Sequence, residues 1–217
     1  MNSPRPSYSL IMVWTDNSRR VFRNVFTNAV HIADHFYVIQ RANLAADQVR
    51  RRVQQEKYGH RGRKHDPLFR GRRLPVTAHD RVSAKAQAKL QSILDNGDPN
   101  GEVALAHRIK EQLRSFYACD NYDVAQERLQ EIIAAAIAET SPEEVQKLGA
   151  TLLNWSEEIL NYPKDKLSNG VTEEQNNTIK RVKRIGYGFR NFHNYRIRVL
   201  LTAGKPHWQL LQSVNPK

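Results

Sequence analysis

The chain has 217 residues, 40% of them hydrophobic, which suits one domain or one domain carrying an insertion. Lys and Arg number 34 against 22 Asp and Glu, a net charge of +12, so the expected partner is a polyanion, and nucleic acids are the commonest. No window approaches the ~20 apolar residues that span a bilayer, the start MNSPRPSYSLIMVW lacks a signal-peptide core, and the single Cys119 allows neither an internal disulfide nor a cysteine-based zinc site, so a reducing cytoplasm is expected.

Residues 8–15, YSLIMVWT, read as a short buried strand that ends at Asp16. Residues 30–33, VHIA, read as a second strand ending at Asp34. Between them, residues 18–27 can form a short helix on Val21, Val25 and Phe26. Strand, helix and strand within so few residues predict a parallel pair with a crossover, both strands ending in an aspartate on one edge. In open α/β sheets that carboxyl edge is where chemistry gathers.

The rest reads as helical. Val38, Ala42, Ala45, Val49 and Val53 form a helical stripe. Glycines and prolines then make residues 59–75 an irregular basic loop. Further stripes fall on Val82, Ala86, Leu90 and Ile93, stopped by DNGDPNG at 95–101; on Val103, Ala106, Ile109, Leu113 and Phe116; and on Leu129, Ile132, Ile133, Ala136 and Ile137. Ser141-Pro142-Glu143-Glu144 predicts a helix start, with Ser as N-cap and Pro at the first position. From it Val145, Leu148, Leu152, Trp155 and Ile159 step by three and four. The expected architecture is a helical bundle set into an α/β part.

Charge is concentrated. Residues 50–73 hold ten Lys/Arg against Glu56 and Asp66, and residues 180–198 hold seven with no acid, while 120–160 hold nine acids against two bases. A charge run is ordinarily a solvated face, but two basic windows beside an acidic one favour contact with nucleic acid. In the second window Tyr187, Phe189, Phe192 and Tyr195 alternate with Arg184, Arg190, Arg196 and Arg198. Aromatics beside cations can stack on bases while the cations hold phosphates, and the competing reading puts about half of these rings in the core. Upstream, Asn169-Gly170 reads as a turn and Thr172 as the cap of a helix with Glu173 and Glu174 in its first turn, where acids suit the helix dipole.

The string SNG-x-TE-x-x-N-x-x-IK-x-VKR-x-x-x-GFRNF-x-NYR-x-R at 168–198 resembles the C-terminal signature of the bacterial insertion-sequence DDE transposases of the ISL-three group. ADHFYVIQRAN at 33–43 is similar to their motif after a strand, and VRRRVQQEKYGHRGRKHDPLFRGRRL at 49–74 to the start of their helical insertion. The resemblance implies the C-terminal part of a catalytic domain with an RNase H-like α/β fold, here partial: two parallel strands with flanking helices, carrying a large all-helical insertion. Its segments would be residues 1–40 with the strands, Asp16 and Asp34; residues 41–165 with the basic loop and helical insertion; and residues 166–217 with the Glu173 helix and the basic, aromatic tail.

The implied activity is DNA transposition, with cleavage and strand transfer by two-metal phosphodiester chemistry using Mg²⁺ or Mn²⁺. By position Asp16 matches the second catalytic and metal-binding acid and Glu173 the third; Glu174 stands where relatives usually have Gly. Asp34 matches an auxiliary Asp-x-x-His motif whose fourth position is Tyr37 here, and Asn176 belongs to the same supporting set. Arg50, Arg51, Arg52, Arg61, Arg63, Lys64, Lys180, Lys183, Arg184 and Arg190 are the expected DNA contacts. The first catalytic acid belongs on a strand upstream of Asp16. The expectation is therefore a truncated transposase, inactive alone, with a non-catalytic DNA-binding remnant or inhibitor of the full-length enzyme as the alternative. Partners would be transposon ends and another transposase copy, its own or full-length; the place would be the bacterial cytoplasm and nucleoid, with no membrane.

Overall fold

The computed structural model describes residues 8–12, 16–73, 77, 83–166 and 170–204. The chain divides into two compact units, residues 1–167 and 168–217. It is mostly helical, with one two-stranded sheet among the described residues.

In the first unit β1 (Tyr8–Met12) and β2 (Ala29–Ala33) pair in parallel, Tyr8 opposite Ala29 and Met12 opposite Ala33, with α1 (Asp16–Val25) as the crossover. The parallel pair is thus as the sequence predicts; the expected strand residues 13–15 lie outside the described ones. The face expected of α1 is corrected. Val21 and Val25 are 54% and 63% exposed, and the helix turns Phe22 and Arg19 inward instead. The reason is the partner: α1 meets a buried carboxylate, described below, so its inner face is half charged.

β2 leads directly into α2 (His35–Tyr58), capped by the Asp34 carboxylate, which accepts from the Phe36 N–H at 3.1 Å. Left-handed Gly59, donating to Gln55, closes the other end. The stripe Val38, Ala42, Ala45, Val49 and Val53 is buried, as its spacing requires. The basic loop that follows holds one helical turn, α3 (Pro67–Arg70), which packs on α4 (Ala84–Gly97). Leu90 and Ile93 of α4 are buried, and Val82 lies outside the described residues.

α5 (Glu102–Tyr117) is the main partner of α2, and it buries Val103, Ala106, Ile109, Leu113 and Phe116. α6 (Tyr122–Ile137) and α7 (Glu143–Asn154) complete the bundle, with α7 also lying on α2. Ile137, expected inside, is 46% exposed because α6 ends there. Ser141 is not the N-cap of α7: its hydroxyl donates back to the Ala135 carbonyl at 2.7 Å, and Pro142 takes the cap position. The stripe running to Ile159 is real but broken at Trp155, where α7 gives way to the short α8 (Ser156–Leu160) and then α9 (Tyr162–Asp165). One core runs from Ala33 through α2, α5, α6 and α7 to Ile159.

In the second unit α10 (Gly170–Ile185) is joined by a short loop to α11 (Phe192–Ala203) and packs on it; the Asn191 cap of α11 accepts from the His193 N–H at 2.8 Å. The helix starts at Gly170, so Thr172 sits inside the first turn rather than capping it.

Candidate functional site

Asp16 opens α1, four positions beyond the end of β1, and Asp34 follows β2 at once. The two aspartates therefore share the carboxyl edge of the parallel pair. The Asp16 side chain lies outside the described ones. What fixes α1 is described in full. Glu158 of α8 is wholly buried and accepts from Arg19 Nε at 2.7 Å, Arg19 Nη2 at 3.1 Å and Arg23 Nη2 at 2.8 Å. Arg19 also donates to Asn154 Oδ1 at 3.0 Å and lies over the Trp155 ring at 4.9 Å, while Arg23 reaches Glu157 at 2.8 Å. Asn161 then donates to the His31 carbonyl of β2 at 3.0 Å. The helical bundle thus grips both α1, which Asp16 opens, and β2, which Asp34 follows. Sequence reasoning missed this clamp, since Glu157-Glu158 read as part of a solvated acidic stretch and nothing local marks a partner 139 residues away.

Asp34 is buried, and its capping bond to Phe36 gives it a structural task. His35 Nδ1 lies 3.4 Å from the same oxygen without hydrogen-bond geometry. The His35 ring packs against Tyr117 at 5.7 Å and Tyr162 at 5.1 Å, and those two meet edge-on at 5.0 Å. Burial, then the neighbouring Tyr162 and the Asp34 charge, push the Tyr117 phenol above its ordinary range, so it is neutral. Tyr37 is half-buried, edge-on to Phe36 and packed against the core.

The first basic window separates into two kinds of residue. Arg50 is buried, bonded to Asp47 at 3.0 Å and to Gln54. Arg51 is exposed and paired with Asp47 at 2.5 Å. Arg52 is held by Glu144 at 2.9 Å, by Glu102 and by Glu56 at 3.1 Å, joining α2 to α5 and α7. The bonds to Glu144, then Glu102, raise the Arg52 pKa, and Arg52 in turn holds Glu102 below the usual carboxylate range. Arg61, Arg63 and Lys64 are exposed, with no ion pair among the described residues.

In the second unit Glu173, Asn176, Lys180, Lys183, Arg184 and Arg190 are all exposed. On α10 the positions 173, 176, 180, 183 and 184 recur every three or four residues, so they line one face. Val182, buried, lies on the opposite face. The Glu173 carboxylate has no hydrogen-bond or ion-pair partner among the described residues, and its hard oxygens suit a hard divalent ion. Among the described residues no three His, Cys, Asp or Glu gather as a metal site, and no helix is long and apolar enough to cross a membrane.

A family model described as a transposase matches residues 12–199. The chain belongs to that family, the DDE transposases of the ISL-three group. The family generally uses divalent metal. The chain is also similar to an ATP-dependent protease of Lactococcus lactis subsp. lactis, 38% identical over 63 residues, which is 29% of this chain and 20% of that protein. The chain thus spans about a fifth of the length of that curated relative. No solved structure matches.

Proposed function

We propose that this chain acts in the cleavage and joining of transposon DNA, with Asp16 and Glu173 as carboxylate ligands of the divalent ions. The observation that carries the reading is the parallel β1–α1–β2 unit. It sets Asp16 and Asp34 just past the carboxyl ends of adjacent strands, as a partial RNase H-like sheet would, in a chain whose family is transposase. Bound Mg²⁺ or Mn²⁺ would neutralise charge building on the scissile phosphate and activate the attacking oxygen. Glu173 stands free to serve as such a ligand, while Asn176, Lys180 and Lys183 on the same face of α10 would hold the phosphates that flank it. Asp34 supports the site by starting α2, and Tyr37 supports it by packing that helix start against the core.

Within the first basic window, exposed and unpaired Arg61, Arg63 and Lys64 meet DNA phosphates. Arg51 adds charge at the surface. Arg50 and Arg52 serve that contact by holding the fold, since their charges are already balanced inside the protein.

The test is a Mn²⁺ titration followed by electron paramagnetic resonance. Glu173→Gln and Asp16→Asn should each weaken binding about tenfold or more, while Glu174→Gln leaves it near the parent value, since a lost first-sphere carboxylate is not replaced by a neighbour on another face. Equal binding in all variants would remove both acids from the site.

A further inference from the structure

The loop joining α10 to α11 presents Tyr187 in a manner that stability does not explain. Tyr187 is 100% exposed and has φ +48°, a left-handed conformation that a bulky L-residue rarely adopts. The loop that imposes it is well built. Tyr187 N–H donates to the Arg184 carbonyl and Gly188 N–H to the Lys183 carbonyl, both at 3.1 Å, which closes α10 with its carbonyls satisfied. Phe189 folds back on Gly186 so closely that a Cβ there would meet the ring at 2.6 Å, so a larger residue would displace the ring. Phe189 is held in turn by Tyr195, centroids 5.2 Å apart, and by the Arg198 guanidinium at 5.8 Å. Gly188, at φ +94°, makes the reverse bend.

The residues on either side of Tyr187, Gly186 and Gly188, border a cleft of about 600 Å³, also lined by Phe189, Arg190, Asn194 and Arg198. That size falls within the range of about 300–1,000 Å³ common for small-molecule sites. Its polar side chains are two guanidiniums, the amide of Asn191, whose oxygen caps α11, and the amide of Asn194, which has no partner among the described residues. An aromatic face fixed in water beside two cations and a free amide matches a nucleotide: the ring takes the base by stacking, the guanidiniums take the phosphate and the amide takes a base edge.

We propose that this loop captures one unpaired DNA nucleotide, with its base stacked on Tyr187 and its phosphate held by Arg190 and Arg198 at the mouth of the cleft. The inference rests on the DNA-handling reading above and adds to it a preference for a base outside the helix. Phe189 and Tyr195 serve as the support that holds the loop, and the left-handed backbone at Tyr187 is what turns its ring away from the hairpin.

The experiment uses the full 217-residue chain and two DNA duplexes of equal length, one fully paired and one with a single extrahelical 2-aminopurine. The expected result is about tenfold tighter binding of the second duplex, with quenched 2-aminopurine emission, because stacking on one aromatic side chain is worth about five- to 150-fold in affinity. Tyr187→Trp should keep both effects. Tyr187→Gly should bring the affinity ratio close to one while its melting temperature equals or exceeds that of the parent, since glycine relieves the left-handed backbone. Equal affinity for the two duplexes, or a preference that survives in Tyr187→Gly, overturns the loop assignment while salt-dependent duplex binding leaves the DNA-handling reading standing. Tighter binding of the same sequence as RNA overturns the assignment to DNA, and failure to bind either duplex overturns both readings.

Discussion

Replacing Glu158 by Ala removes the acceptor that three guanidinium bonds share, and it does so inside the protein. Breaking a buried ion pair from one side costs about 3–5 kcal/mol, because the remaining charge stays desolvated. Here the figure must be discounted. The Arg23 side chain is 44% exposed and can turn to water, so its share is small. Arg19 is only 16% exposed and lies against Trp155, with Asn154 as its one remaining acceptor among the described residues. The expected loss is therefore about 2–4 kcal/mol, or a fall of roughly 4–16 °C in the melting temperature of a chain this long. Glu158→Gln keeps the shape and one acceptor oxygen and should cost about half as much. Circular dichroism measures the melting, and amide hydrogen exchange reports whether α1 opens selectively. An apolar pair, Arg19→Met with Glu158→Leu, should recover most of the loss, since no charge is then stranded. A Glu158→Ala protein that melts within about 2 °C of the parent, with α1 equally protected, would refute the view that this carboxylate fixes α1.

The basic window yields a paired prediction: changing Arg61, Arg63 and Lys64 to Gln should lower the slope of log affinity against log salt by about 2.7, at about 0.9 per phosphate contact, without changing the melting temperature. Arg50→Gln should do the reverse, lowering stability by about 1–3 kcal/mol through a buried, broken network while the slope holds; an unchanged slope in the first variant removes this loop from the phosphates. The Glu102–Arg52 pair predicts a pH dependence. Glu102 has a folded pKa below its unfolded value, so its contribution is complete above about pH 5 and is lost as pH falls through the lowered folded value. Arg52→Met should therefore flatten the acid limb of a urea-denaturation series, and an identical limb in both proteins would show that the pair contributes nothing.

The amphipathic stripes of α2, α5 and α7 were legible because burial on one face leaves a period of 3.6 in the sequence. The parallel strands were legible too, since a short helix between two apolar runs leaves few ways to connect them. α1 was misread for a definite reason. Its inner face is built from Arg19, Phe22 and Arg23, and a charged residue satisfied by a distant carboxylate has the same sequence signature as an exposed one. The basic window hid the same ambiguity: Arg50, Arg52 and Arg61 are alike as letters, and only their acids, from Asp47 to Glu144, separate structure from surface. Asp16 and Glu173 stood out through family resemblance alone, because an aspartate after a strand and a glutamate in a first helical turn are ordinary caps by local physics. In the sequence Tyr187 is one of four alternating aromatics, and only its left-handed backbone separates it from Phe189 and Tyr195, which pack on each other.

Asp16 and Glu173 are the carboxylates proposed to hold the divalent ions. Iron-mediated backbone cleavage tests that assignment most directly. Fe²⁺ replaces Mg²⁺ at the site, ascorbate and peroxide generate hydroxyl radicals there, and mass spectrometry locates the cuts. Cuts are expected near both residue 16 and residue 173, suppressed by excess Mg²⁺, with Asp16→Asn abolishing the cut near 16 and Glu173→Gln the cut near 173. Cuts at neither position, or cuts that persist in these variants, would contradict the assignment of the two carboxylates as metal ligands.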